Sequence, residues 1–151
     1  MKRLLVMVAL LLSACSLTVP LTRQEFIEAV KVGKGPTKAE SYTVGRGFDE
    51  VYETLARNVP KCLNKTVKRS GGGAGRAHAS SSDYNPKLKK EGAGKAAFSL
   101  QVLHRPRGVG AKHPDDGIYL MAADISSVQG DKTKVDVSPM SRSIGTQITA
   151  K

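Results

Sequence analysis

FDEVYETLARNV, residues 48–59, places Phe48, Val51, Tyr52, Leu55 and Val59 at i, i+3, i+4, i+7 and i+11. That spacing draws one apolar stripe along a helix. Asp49 and Glu50 fall in the first turn, where the helix dipole favours anions, Arg57 is expected in the last turn, and Pro60 is expected to stop the helix. A twelve-residue amphipathic helix is marginal by itself, so the stripe needs a surface to cover.

The flanking sequence supplies a sheet. Before the helix, Ser41 to Val44 reads as a short strand with Tyr42 and Val44 on one face. After it, Leu63 to Lys68 reads as a strand, Ala97 to His104 alternates Phe98, Leu100 and Val102 with Ser99 and Gln101, and Ile118 to Val128 is a longer run of strand formers. Val135 and Val137 alternate with Lys134, Asp136 and Ser138, and Gln129-Gly130-Asp131-Lys132 is a hairpin connection between the last two strands. Farther upstream, Thr22 to Glu25 has capping-box spacing and opens a short helix from Arg23 to Val32, ended by Gly33 to Pro36. Ile144 and Ile148 suggest a short terminal helix, while Ser70 to Asp83 and Arg105 to Asp116 read as loops. The expected fold class is α+β: a small antiparallel sheet with one main amphipathic helix packed on one face, and a short N-terminal helix. Tyr42, Phe48, Tyr52, Phe98 and Tyr119 are expected in its core.

The segment Ser41 to Val67, with Gly47-Phe48-Asp49-Glu50-Val51-Tyr52 at the helix start, resembles the helix-grip or TATA-binding-protein-like modules of some periplasmic lipoproteins. An accessory lipoprotein of the outer-membrane assembly machinery is among them. The resemblance is one of topology, and a fold does not carry a function with it.

The N-terminus has a basic start, Lys2 and Arg3, then nine apolar residues from Leu4 to Leu12, then Ser13-Ala14-Cys15. Nine helical residues at about 1.5 Å each reach roughly half the hydrocarbon thickness, so this run is a signal peptide rather than a membrane span. Leu12-Ser13-Ala14-Cys15 resembles the lipobox of bacterial lipoproteins. The resemblance implies cleavage before Cys15, a diacylglycerol thioether on its sulfur and an acylated amine. Ser16, where an Asp would favour inner-membrane retention in that family, implies the periplasmic face of the outer membrane. The expected organisation is a signal peptide over 1–14, a lipidated N-terminus and linker over 15–21, and one domain over 22–151. Several acyl chains, at about 0.8 kcal/mol per buried CH₂, anchor such a domain without a transmembrane helix.

With the Cys15 sulfur consumed, Cys62 is left alone in an oxidising compartment, so no internal disulfide can form. An odd cysteine of this kind is either a small buried hydrophobe or an exposed thiol able to pair with another chain.

The chain carries 24 Lys and Arg against 13 Asp and Glu in 151 residues. The excess is local: residues 61–113 hold twelve cations and two acids, whereas 15–60 hold six of each and 114–151 hold four cations and five acids. Candidate anion-binding residues are Lys65, Lys68, Arg69, Lys87, Lys89, Lys90, Lys95, Arg105 and Arg107. The periplasm holds no nucleic acid, and seven aromatics give few platforms for bases. The fitting partners are the membrane through the lipid anchor, other envelope proteins, and the polyanions there: anionic lipid, lipopolysaccharide and peptidoglycan.

No reactive motif stands out. Gly71-Gly72-Gly73-Ala74-Gly75-Arg76 and Gly92-Ala93-Gly94-Lys95 lack the Lys-Ser/Thr and following helix of a phosphate-binding loop, and both read as flexible loops. His78, His104 and His113 lack metal-ligand spacing, and Asp115-Asp116-Gly117 reads as a turn. No cofactor, metal or catalytic residue is expected. The sequence points to a non-enzymatic envelope lipoprotein, an accessory or binding module, or else a direct binder of envelope anions through residues 61–113.

Overall fold

The computed structural model describes residues 19–32, 38–73, 76–106 and 116–140. Its elements, in chain order, are α1 (Arg23–Val32), β1 (Glu40–Val44), α2 (Phe48–Leu63), β2 (Lys65–Gly73), β3 (Arg76–Gly92), β4 (Lys95–Pro106), β5 (Ile118–Val128) and β6 (Lys132–Pro139). All six strands form one antiparallel sheet in the order β1-β6-β5-β4-β3-β2. The protein is therefore α+β, with a sheet larger than the small one expected and a helix on each face.

Helix α2 links the two edge strands, β1 and β2. Its 16 residues rise about 24 Å, and five inter-strand gaps of about 4.8 Å span the same distance. The helix packs against β3, β4, β5 and β6. Phe48 and Val59 are buried against Ala96, Phe98 and Leu100 of β4 and Ala123 and Ile125 of β5. Val51, Tyr52, Leu55, Leu63, Tyr84 and Leu88 pack around them, and the Phe48 and Tyr52 rings stack at 6.0 Å.

Pro60 does not end this helix, as the sequence reading expected; α2 continues to Leu63, and Lys61 rather than Arg57 lies in its last turn. Proline removes the amide that would bond Ala56 and crowds that carbonyl. Pro60 is exposed, where water can take the freed carbonyl, and one further turn brings Leu63 onto the core stripe. The Asn64 amide then donates to Pro60 O at 3.3 Å and closes the end.

On the opposite face, α1 buries Phe26 and Ile27 over Ala122 of β5, and Phe26 stacks on Tyr119 at 5.6 Å. The expected capping box is present. Glu25 N donates to Thr22 Oγ1 at 3.2 Å, while Glu25 Oε2 accepts from Thr22 N at 3.3 Å and from Leu21 N at 2.9 Å.

Strand β3 is the main departure from the sequence reading. Ser70 to Asp83 is not a loop, since Lys65–Gly73 and Arg76–Tyr84 pair residue for residue in a hairpin. Gly71 to Gly73 belong to β2 and Arg76 to β3 rather than to a flexible loop. The Gly, Ala and Ser run carries no hydrophobic alternation, yet the backbone of its described residues is paired. Pro86 sits two residues past the last β2 pair, at Tyr84, where β3 has become an outer strand and tolerates a missing donor. Gly92-Ala93-Gly94-Lys95 closes the β3–β4 hairpin, with Gly94 at φ 69°.

Tyr42 is not a core residue. It lies on β1 at the sheet edge, beyond the strands that α2 covers, is 51% exposed, and its hydroxyl donates to Glu40. Gly117, at φ 84°, makes the turn expected at Asp116-Gly117, and Gly130 and Asp131, at 76° and 53°, make the β5–β6 turn. The terminal helix at Ile144 and Ile148, the break at Gly33 to Pro36, and the loop from Arg107 to Asp115 lie outside the described residues, while Arg105 and Pro106 end β4.

Candidate functional site

Two-residue alternation assigns each basic side chain to a face, because directly opposed residues of antiparallel strands share one. Leu88 stands opposite Phe98 on the α2 side; Lys87 and Lys89, opposite Ser99 and Ala97, are on the α1 side. Lys95 shares that side with Ala97, Lys68 does so through Ser81, and Arg105 does so opposite the same Ser81. Lys65, Arg69 and Lys90 fall on the α2 side through Tyr84, Ser80 and Ala96. The basic segment is thus split, with Lys68, Lys87, Lys89, Lys95 and Arg105 on the α1 side. Arg107, like Cys15, lies outside the described residues.

Lys90 departs from its expected role. Its ammonium donates to Asp49 Oδ1 at 2.8 Å and lies 5.4 Å from the ring centres of both Phe48 and Tyr52. The bond to Asp49 holds its pKa above the ordinary lysine value, against a partial counter-effect of burial. This lysine closes the N-terminal end of α2 on β3 and is committed to that contact.

On the α1 side, Arg105 Nε pairs with Asp83 Oδ2 at 3.1 Å, and Asp83 Oδ1 also accepts from Thr66 Oγ1 at 2.8 Å. Lys68, Lys87, Lys89 and Lys95 are exposed and form no ion pair among the described residues. Helix α1 covers β5 and β6 on this face and leaves those lysines beside it.

The α1 end is fixed by a residue the sequence reading did not single out. Arg23 Nη2 donates to Ala123 O at 2.8 Å and to Asp124 Oδ1 at 2.5 Å, and its Nε to Phe98 O at 3.4 Å. Between α1 and the β1–β6 edge lies a shallow cleft of about 320 Å³, lined by Ile27, Lys31, Glu40, Asp124, Lys134 and Asp136 among others. Asp136 accepts from Ser41 Oγ and pairs with Lys134 at 2.9 Å. The Ser41 hydrogen bond, helped by Lys134, holds its carboxyl below the usual range although burial pushes the other way. The Tyr42 hydroxyl is pushed up by its hydrogen bond to Glu40 and by that carboxylate's charge. In the cleft, Asp136 is thus met by Lys134 on its own strand and by Ser41 across strands, and Asp124 by Arg23.

Gln101, 2% exposed on the α1 side of β4, has an amide oxygen without a hydrogen-bond partner among the described residues. Ser82 Oγ and His104 Nδ1 are hydrogen-bonded at 3.1 Å. Cys62 is exposed near the end of α2, so it is not the small buried hydrophobe that one reading made it. Among the described residues, no three His, Cys, Asp or Glu converge as a metal site would require, and no helix is long and apolar enough to cross a membrane.

Compared with known proteins, the chain matches no family model, no curated protein and no solved structure.

Proposed function

We propose that this protein is a lipid-anchored, non-enzymatic binding module of the bacterial cell envelope, acylated at Cys15 and held at the periplasmic face of the outer membrane. The observation that carries the reading is Leu12-Ser13-Ala14-Cys15 at the end of a nine-residue apolar run behind Lys2 and Arg3. The fold is compatible with the role. Its polar clusters are spent on holding α1 and β1 in place, and its free charge stands on an exposed sheet face, as suits a domain that works by contact. The likeness to helix-grip lipoproteins rests on the strand–helix–strand order of Ser41 to Val67 and belongs to this proposal.

The test is mass spectrometry of the protein purified from the membranes of a Gram-negative host. The expected N-terminal peptide begins at Cys15 and carries a diacylglyceryl group and an amide-linked acyl chain. Density-gradient separation should place it with the outer membrane. A peptide that begins elsewhere, or an unmodified Cys15, would overturn the reading.

A further inference from the structure

We propose that the α1-side surface formed by Lys68, Lys87, Lys89 and Lys95 docks on an anionic phospholipid bilayer, orienting the tethered domain with α2 away from the membrane. This inference rests on the lipid-anchor reading and adds to it a face, a ligand chemistry and an orientation.

Three observations converge. The four lysines share one side of the sheet, are exposed and have no ion-pair partner among the described residues. Asp83, on the same side of β3, is taken up by Arg105 and Thr66, so it does not cancel them. Lys87 and Lys89 are two residues apart on one strand, about 7 Å, with Lys95 one strand over, a spacing that lets each meet a separate headgroup phosphate.

The second observation is where the chain enters the domain. Arg23 bonds Phe98 O, and Phe98 is paired with Leu88, the residue between Lys87 and Lys89. The Arg23 guanidinium at the start of α1 therefore reaches β4, the strand next to the one that carries Lys87 and Lys89, about 4.8 Å away. From Cys15 to Arg23 is eight residues, a reach of at most about 29 Å when fully extended. An anchor on so short a leash, arriving on the lysine side, presents that side to the lipid. The third observation is that Val19 and Leu21, just before α1, are 46% and 68% exposed apolar residues on the tether side. They are suited to the interfacial layer that the anchor enters.

The electrostatic gain of a lysine near an anionic leaflet corresponds to about fivefold in the population of the docked orientation for each residue. It screens within a Debye length.

The experiment uses the full acylated chain reconstituted into vesicles of phosphatidylcholine alone or mixed with phosphatidylglycerol. A membrane-impermeant amine reagent labels exposed lysines, and each site is read by mass spectrometry. Lys87, Lys89 and Lys95 should label at least fivefold more slowly on the anionic vesicles, with Lys61 and Lys65 on the α2 side unchanged, and high salt should erase the difference. The triple variant Lys87→Gln, Lys89→Gln, Lys95→Gln should still float with the vesicles while Lys68 loses its protection. Equal labelling on both vesicles, or protection of Lys61 and Lys65 instead, overturns the orientation while leaving the anchor intact. A chain without acyl mass on Cys15 that fails to float with neutral vesicles overturns the anchor, and this inference with it.

Discussion

The two halves of the sheet are built on different rules. Across β4, β5 and β6, both faces are covered, and Ala122, Ile125 and Thr133 are almost wholly buried between α1, α2 and their neighbours. Across β2 and β3, α2 covers part of one face, while Val67 is 39% exposed and the α1-side lysines face outward. Backbone pairing runs through both halves, with register shifts at Lys90/Gly92 and Leu100/Gln101. The difference teaches that hydrogen-bonded ladders extend a sheet beyond the core that stabilises it. In the extension the side chains are left exposed.

Substitutions should separate these halves by size of effect. Ile125→Ala, at a site 2% exposed in the covered half, is expected to cost about 3 to 4 kcal/mol in urea unfolding, through lost burial and the cavity left behind. Val67→Ala in the open half should cost well under about 1 kcal/mol. If the two costs were equal, the contrast would collapse. Next, Gly117→Ala should destabilise by about 2 kcal/mol or more. Its φ of 84° is strained for any other residue, and a Cβ would stand 2.5 Å from Val102 O, a backbone atom that cannot swing aside.

Arg23→Ala should cost about 1 to 2 kcal/mol and loosen α1 selectively, seen as faster amide exchange in residues 23–32 with β2 and β3 unchanged. Loosening of the whole sheet would show instead that α1 is integral to both halves. A smaller effect is expected from pH. The Asp136 carboxyl is held below its unfolded value, so its stabilisation is fully present above about pH 4 and fades as pH falls through the lowered folded value. Asp136→Asn should flatten this acid limb, measured as unfolding midpoint against pH. The smallest effect belongs to Lys87→Gln, Lys89→Gln and Lys95→Gln together. Their unfolding midpoint should stay within about 0.5 kcal/mol of the parent, because none of the three is paired or buried.

What the sequence disclosed follows the same division. The covered half writes its structure in side chains: the Phe48 stripe, the Thr22 to Glu25 cap, Ile118 to Val128 and the Gln129 to Lys132 turn were all readable, the last two to within a residue. Strand β3 was not, because Ser80, Ser81 and Ser82 show no contrast between faces and Pro86 argues against a strand unless the neighbour is known to end at Tyr84. Missing β3 concealed the lysine face. Lys87 and Lys89 share a face while Lys90 lies on the other only when the two-residue period is applied. Pro60 misled in the opposite direction, since a local breaker was overridden by the packing of Leu63. Arg23 carried no signal beyond its place in a helix, as its acceptors are two main-chain carbonyls 75 and 100 residues away and the Asp124 carboxylate beside the second.

The pairing of β1 with β6 joins Glu40 to Val137 and Ser41 to Asp136, partners almost a hundred residues apart. Such a contact closes a large loop and gives nothing back until both ends exist. A chain made from its N-terminus must therefore leave residues 40–44 without their β6 partner until residues 132–139 have been made. The first strand in the sequence is completed by the last, so a chain truncated before Lys132 would present a bare edge, open to joining with another copy.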